Sequence, residues 1–229
     1  MLFRSARPAA ERDGIRTLLA DFAAGDDARL ATVALRGLAP LVDSAELAGL
    51  REAARPPDPG VDRTPVSERT PAFYEEIVRT WVVPALAGDP ARATIRTAGG
   101  EITIEFLAAE APLTVHNFVT LARAGYWDGG VWHRVIPNFV LQDGAPAGDP
   151  SGGPGWSIRD EINRVRYTRG VIGMALSGPD TGGSQWFITH SPQHHLDGGY
   201  TIFGTVIDGM DVADAVLQGD PIEAISVPR

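Results

Sequence analysis

The stretch VWHRVIPNFVLQDG (131–144) carries the strongest structural signal in this sequence. If its first half is a β-strand, Trp132, Arg134 and Ile136 share one face, because successive side chains of a strand alternate between faces. An arginine among aromatic and aliphatic neighbours is costly unless a polar or negative group reaches it. The stretch therefore predicts a binding site for a carbonyl oxygen beside Arg134.

A turn in the middle of this stretch gives the predicted site a second side. Pro137 and Asn138 are residue types that favour turns, so we expect the chain to reverse there. The reversal returns Phe139 and Gln142 to the neighbourhood of Arg134. A guanidinium, an aromatic ring and an amide are thereby predicted to lie close together.

The surrounding residues, from 91 onward, show the pattern of short strands. Ile102, Ile104 and Phe106 alternate with polar residues, and Gly99 and Gly100 form a hairpin turn before them. Further short apolar runs are separated by Gly, Pro and Asp turns. This pattern is typical of a closed antiparallel barrel or a sandwich.

Two helices interrupt the strands. The first has Pro112 in its first turn and Gly125 as its stop signal, and the second begins near Asp211. With only two helices in this region, we expect them to cover the open ends of the barrel or sandwich.

Residues 1–90 follow a different pattern. They hold only 6 of the 26 Gly, and their apolar residues recur at helical spacing. Asp43 can cap one helix, and Thr70 followed by Pro71 opens another that runs through Trp81. We therefore divide the chain into an α-helical segment, 1–90, and a β-rich domain, 91–229.

Part of the helical segment, ARLATVALRGLAPLVDSAELAGLREAA (28–54), resembles one unit of a HEAT-type repeat. Such repeats have a period of roughly 40 residues and need about three neighbours to bury a continuous core. Ninety residues supply at most two. The segment therefore either docks on the β-rich domain or is part of a longer solenoid, and it is either a structural extension or a surface for a protein partner.

Charge and composition exclude several classes of function. The net charge of -9 and a pI near 5.0 argue against nucleic acids and anionic membranes as partners. The absence of Cys excludes disulfides, thiolate metal sites and cysteine nucleophiles. No signal peptide is predicted, since no apolar stretch follows Arg4 and Arg7, and a cytoplasmic location is expected.

Metal and hydrolase chemistry are also disfavoured. His194 and His195 would point to opposite faces of a strand, and no carboxylate spacing completes a set of metal ligands. Ser184 lies outside any Gly-x-Ser-x-Gly nucleophile elbow. We expect no metal and no cofactor, and Ser184, Asp180 and Thr181 are predicted to form turns.

Two further stretches complete the pattern begun at residue 131. They are GMALSGPDTGGSQWFIT (173–189) and HLDGGYTIFGTVIDGMDV (195–212). Taken together, in this order and spacing, the three stretches are similar to the sequence core of the cyclophilins. The resemblance extends over essentially all of residues 91–229.

The resemblance implies a mainly β fold: a closed eight-stranded antiparallel barrel capped by two helices, with a groove on its outer surface. It implies a peptidyl-prolyl cis-trans isomerase that rotates X-Pro bonds without a cofactor and assists protein folding. Its partners would be proline-containing peptides and unfolded or flexible protein segments. The alternative is a scaffold module that binds proline peptides with little or no turnover.

The resemblance also implies a set of site residues. Arg134, Phe139 and Gln142 match the catalytic positions. This chain has Val140, Leu176, His195 and Tyr200 where many eukaryotic members have Met, Asn, Trp and His, and Trp186 where they have Phe. The implied substrate-binding residues are His133, Val140, Ala175, Leu176, Gln185, Phe187, His195, Leu196 and Tyr200.

Overall fold

The chain divides into two compact units, Met1–Pro56 and Pro57–Arg229. The compositional boundary near residue 90 therefore does not coincide with the boundary between the units. The structure is a computed structural model, and it describes residues 14, 16–20, 34, 38, 41–43, 45–46, 49–50, 70–145 and 153–228.

The first unit is helical at residues 16–20, 45–46 and 49–50. The predicted cap is present, because the Asp43 carboxylate accepts hydrogen bonds from the backbone N–H groups of Ala45 and Glu46 at 2.9 and 2.8 Å. Most of the HEAT-like stretch 28–54 lies outside the described residues, so that resemblance stays a prediction.

The first described element of the second unit is a helix that packs on the β-rich domain. It consists of α1 (Pro71–Ile77), a π-helical turn (Val78–Val82) and α2 (Val83–Leu86). Trp81 is buried and donates through Nε1 to Nδ1 of His116 at 3.3 Å. His116 belongs to α3 (Pro112–Arg123), so the helix predicted to run through Trp81 covers the outer side of α3.

The predicted second helix of the β-rich domain is also present, as α4 (Met210–Ala215). Within the described part of the chain, no helix is both long and apolar enough to cross a membrane.

Eight strands form one antiparallel sheet in the order β3-β4-β6-β5-β7-β2-β1-β8. The side chains of Ile95, Ile102, Ile104 and Phe106 all face the core, as the alternation predicted. The strands are β1 (Arg92–Thr97), β2 (Gly100–Phe106), β3 (Arg134–Val135), β4 (Val140–Asp143), β5 (Val171–Met174), β6 (Trp186–Thr189), β7 (Ile202–Asp208) and β8 (Ile222–Ser226).

The sheet is curled but open, which differs from the closed barrel that was expected. Among the described residues, no ladder joins the edge strands β3 and β8. An isolated bridge between Val131 and Pro221, just before these strands, connects the two edges. On either side of this bridge, the backbone N–H groups of Trp132 and Ile222 donate to the carbonyls of Asp220 and Gly130, at 2.9 and 2.8 Å. β3 is only two residues long and begins after this connection, so the pairing does not extend into a ladder.

Helix α3 is held on the sheet by a carboxylate distant in sequence. Ala111, at the N-cap position, has no side-chain acceptor for the first N–H groups. Glu161 takes that role, accepting from the backbone N–H groups of Leu113 and Thr114 at 3.0 and 2.7 Å. Burial raises the pKa of Glu161 above the usual value for a glutamate.

Candidate active site

The register of β3, β4 and β6 builds one row of side chains across the sheet. Arg134 lies opposite Gln142, and Gln142 lies opposite Phe187. Nη1 of Arg134 donates to Oε1 of Gln142 at 2.9 Å. Nε2 of Gln142 then donates to Oε1 of Gln185 at 3.1 Å. The guanidinium is thus oriented by an amide that is itself held in place.

The tight turn between β3 and β4 brings Phe139 into this row. Asn138 adopts a left-handed conformation with φ of 59°, a conformation that asparagine tolerates better than most residues. Its carbonyl accepts from Nε2 of Gln193 at 2.7 Å. Cζ of Arg134 then lies 5.4 Å from the centre of the Phe139 ring.

These residues surround a hollow of about 170 Å³ on the outer face of the sheet. All nine residues that line it belong to the set named from the sequence, including the three at the catalytic positions. The lining residues are Arg134, Phe139, Val140, Gln142, Ala175, Leu176, Phe187, Leu196 and Tyr200.

Two predicted residues lie beside the hollow. Gln185 lines a neighbouring groove of about 610 Å³, which shares Gln142, Ala175 and Leu176 with the hollow. His195 is exposed and stacks on Phe139, with the ring centres 5.6 Å apart and the planes at 25°.

His133 is the third predicted residue that does not line the hollow, and it lies away from it. His133 is buried, and its Nδ1 lies 3.3 Å from Oδ1 of Asp143, on the inner side of the sheet. It immediately precedes β3, and Arg134 points outward, so His133 points inward. The substrate-binding role expected for His133 is therefore not supported by its position.

Trp132 does not lie on the face that was predicted for it. It is fully buried, whereas Arg134 and Ile136 are exposed, so the three do not share a face. Trp132 lies two residues before β3, which begins at Arg134, so the strict alternation expected for a longer strand does not extend to it.

Tyr167 was not predicted from the sequence. Its ring is buried beneath Phe187, with the ring centres 5.6 Å apart, and burial raises the pKa of its hydroxyl. Tyr167 lies outside the strands and outside the three motif stretches, and so no periodic pattern marked it.

The neighbouring groove was likewise not expected. Trp156, Ser157 and Thr181, which contribute to it, come from loops. Thr181 also forms the predicted turn, because its hydroxyl donates to the carbonyl of Gly178 at 2.7 Å.

The chemistry of the hollow is that of recognition. Its floor is apolar, its rim carries one guanidinium and one amide, and no carboxylate is among its lining residues. Ser184, considered above as a nucleophile, is buried and donates to the carbonyl of Gly144 at 2.5 Å. The hollow therefore suits a compact apolar ring with a carbonyl group beside it.

Comparison with known proteins agrees with this arrangement. The family model described as cyclophilin type peptidyl-prolyl cis-trans isomerase/CLD matches residues 92–226. A peptidyl-prolyl cis-trans isomerase of Helicobacter pylori is 47% identical over 139 residues, which cover 59% of this chain and 85% of the relative. Peptidyl-prolyl cis-trans isomerase B of Bacillus subtilis is 45% identical over 131 residues, covering 56% and 92%.

Solved structures show the same likeness. A crystal structure of a Cryptosporidium parvum cyclophilin type peptidyl-prolyl cis-trans isomerase superimposes with a TM-score of 0.56 at 31% identity, covering 61% of this chain and 98% of that one. A second structure of that protein was determined in the presence of the dipeptide Ala-Pro. With the family model covering more than half of its length, this chain belongs to the family of cyclophilin-type peptidyl-prolyl cis-trans isomerases.

Proposed function

We propose that Arg134, Phe139 and Gln142 carry out the isomerisation, acting on X-Pro bonds held in the 170 Å³ hollow. The rotation barrier of a peptide bond is about 18–20 kcal/mol because resonance must be broken. Uncatalysed X-Pro bonds therefore isomerise in about 10–100 s. A catalyst must bind the twisted amide more tightly than either planar form.

The apolar floor supplies the fixed point of the rotation. Phe139, Val140, Phe187 and Leu196 present ring and aliphatic surface of the size and polarity that suit a pyrrolidine ring. With the proline ring held there, the acyl part of the X-Pro bond is free to turn. Tyr167 stacks beneath Phe187 and supports this floor.

Arg134 supplies the preference for the twisted state. Its guanidinium can donate to the carbonyl of the proline, or toward the amide nitrogen lone pair that becomes available only when the bond twists. Gln142 holds the guanidinium in place at 2.9 Å. A charge-assisted hydrogen bond contributes about 1.5–3 kcal/mol, and each 1.36 kcal/mol is about a tenfold acceleration.

One observation supports this assignment above the others. The side chain of Arg134 contacts both Gln142 and the ring of Phe139 at the rim of a hollow with an apolar floor. The Ala-Pro dipeptide used with the Cryptosporidium relative favours the same kind of ligand. The substrates we propose are exposed X-Pro bonds of peptides and of unfolded or flexible protein segments, which makes the protein a folding helper.

Exchange NMR on a short Ala-Pro peptide tests the proposal with the full chain. Arg134→Ala should lower kcat/KM by about 10- to 150-fold, as expected for the loss of one charge-assisted hydrogen bond. Arg92→Ala is the matched control, since Arg92 is an exposed strand arginine on β1, outside the hollow. Peptide binding with little or no turnover by the unmodified chain would favour the scaffold alternative, and turnover that is equal in both variants would remove Arg134 from the catalytic residues.

A further inference from the structure

The rim of the hollow carries a second group that can become cationic. His195 is exposed and stacks on the Phe139 ring, which the Arg134 guanidinium also contacts. A histidine gains its positive charge within the range of about pH 8 to 5. The Phe139 ring, which forms part of the proline floor, therefore lies next to one cation and one imidazole.

Neither group is paired with a carboxylate in the described part of the chain. Among the described residues, no carboxylate lies within 4.0 Å of a side-chain nitrogen of His195 or Arg134. The chain as a whole has a net charge of -9, so this local positive charge differs from the rest of the molecule. A ligand with a carboxylate would complement it.

The one carboxylate on the same turn is already engaged. Asp197 accepts the backbone N–H of Tyr167 at 2.8 Å and pairs with Arg166 at 3.2 Å and with His194 at 3.6 Å. These partners lower the pKa of Asp197, the hydrogen bond from Tyr167 most of all. Asp197 therefore stays charged, and its carboxylate is engaged by partners other than His195.

The titratable groups around His195 come from three places. His194 and Asp197 lie on its own turn, with Arg166 reaching Asp197 from the segment before β5. Arg134 approaches from β3 through the shared ring of Phe139. Tyr200 contributes the only other titratable side chain of the wall.

We infer that His195 makes this site selective for X-Pro peptides with an acidic residue next to the proline, a selectivity that rests on the isomerase activity proposed above. A side chain flanking the proline ring on Phe139 is at the right place to meet His195. The selectivity increases as the pH falls, because the imidazole then carries its charge.

The test compares peptides that differ only in charge. Peptides with Glu before or after the proline are paired with Gln peptides of the same sequence, and kcat/KM is measured by exchange NMR at pH 6 and pH 8. The Glu-to-Gln ratio should be about two- to fivefold larger at pH 6 than at pH 8, as expected for an exposed ion pair. Raising the salt to about 1 M should remove most of this increase, because it shortens the screening length to about 3 Å.

Two adjacent histidines provide a matched pair of variants. His195→Gln should abolish the pH-dependent increase in the ratio. His194→Gln should leave it unchanged, because His194 faces Asp197 and lies outside the hollow. Because His195 contacts Phe139, only the Glu-to-Gln ratio of each variant is compared, and circular dichroism verifies that both fold.

The outcomes separate this inference from the activity on which it rests. Turnover of both peptides with a ratio that is equal at the two pH values, or that survives in His195→Gln, overturns the inference and leaves the isomerase intact. A failure to turn over any X-Pro peptide overturns the proposed residues for catalysis. In that case, NMR titration with the same Glu and Gln peptides still measures whether His195 selects the acidic one.

Discussion

The two sides of the β3–β4–β6 sheet differ in chemistry although they share one backbone. The outer side carries Arg134, Gln142 and Phe187 around the hollow. The inner side carries Asp143 and Trp186, within the core. Residues that are neighbours in sequence therefore have different roles. Those on the outer side contribute to ligand recognition, and those on the inner side contribute to stability.

The polar residues show the difference most clearly. On the outer side, the Arg134 guanidinium is exposed, is oriented by Gln142 and has donors left for a ligand. On the inner side, His133 and Asp143 are shielded from water and contact each other. Nε2 of His133 has no hydrogen-bond partner among the residues that the structure describes. A polar group is thus available for binding on one side and is a cost to stability on the other.

The largest effect is expected where one substitution disturbs both sides. Gly144 follows β4 with φ of 109°, and an added Cβ would lie 1.9 Å from the Ser184 carbonyl oxygen. Gly144→Ala must displace the backbone at Ser184 and Gln185. These residues come immediately before β6, whose first residue is Trp186. We expect a loss of at least about 4 kcal/mol in the free energy of unfolding together with a loss of activity. Urea unfolding and the exchange assay measure the two effects.

Gly198→Ala is the control for that substitution. Gly198 also has a positive φ, of 72°, but nothing lies within 4 Å of the added Cβ. It should cost only about 1–2 kcal/mol of backbone strain. If Gly144→Ala were no more destabilising than Gly198→Ala, the close approach of β4 to the chain before β6 would not constrain the two sides.

The second-largest effect should be a loss of stability that is confined to the inner side of the sheet. Trp186 is fully buried, with its ring centre 5.2 Å from Trp132 and 5.5 Å from Phe118. Trp186→Ala should reduce the free energy of unfolding by about 3–5 kcal/mol through the cavity it leaves. At a temperature where the variant is still folded, kcat/KM per folded molecule should stay near that of the wild type. A loss of activity in the fully folded variant would show that the two sides are not separable.

The third effect should be a loss of activity without a loss of stability, and it concerns the outer side of the sheet. Gln142→Ala removes the acceptor that orients Arg134. We expect about a tenfold fall in kcat/KM, since the guanidinium loses its fixed orientation. The free energy of unfolding, measured with urea, should be unchanged within about 0.5 kcal/mol, as for most substitutions away from the core. A destabilised variant with full activity would reverse the assignment of Gln142.

The residues named from the motif stretches lie together around the hollow because each stretch contributes directly to its wall. Arg134, Phe139 and Gln142 come from the first stretch, Phe187 from the second and Leu196 from the third. Their proximity requires only antiparallel strand pairing and a short turn, and both can be predicted from a sequence pattern. The helix starts at Pro112 and near Asp211 were predictable for the same reason.

The errors arose where the structure depends on something other than local pattern. His133 was named from its place beside Arg134, although residues adjacent in a strand face opposite ways. Tyr167 and Trp156 reach the site from loops without periodicity. The opening between β3 and β8 depends on how far two short edge strands extend, which alternation alone does not determine.

The smallest expected effect is a pH dependence that belongs to the inner side. Burial raises the pKa of Asp143, against the opposing hydrogen bond from His133. Such a carboxyl contributes stability below its unfolded-state pKa of about 3.9, and this contribution is lost as the pH rises through the higher folded-state value. The free energy of unfolding of the wild type relative to Asp143→Asn should therefore fall as the pH rises above about 4.

Urea unfolding of both proteins from about pH 4 upward measures the difference, and Asp214→Asn supplies the control. A hydrogen bond from Arg169 lowers the pKa of Asp214, so the stability that this group contributes is fully present above its unfolded-state pKa of about 3.9 and is lost only as the pH falls below it. The difference in the free energy of unfolding between the wild type and Asp214→Asn should therefore stay constant above about pH 4. An equally constant difference for Asp143→Asn would mean that Asp143 is as well solvated as an exposed carboxylate, and the contrast between the inner and outer sides of the sheet would then fail at its charged residue.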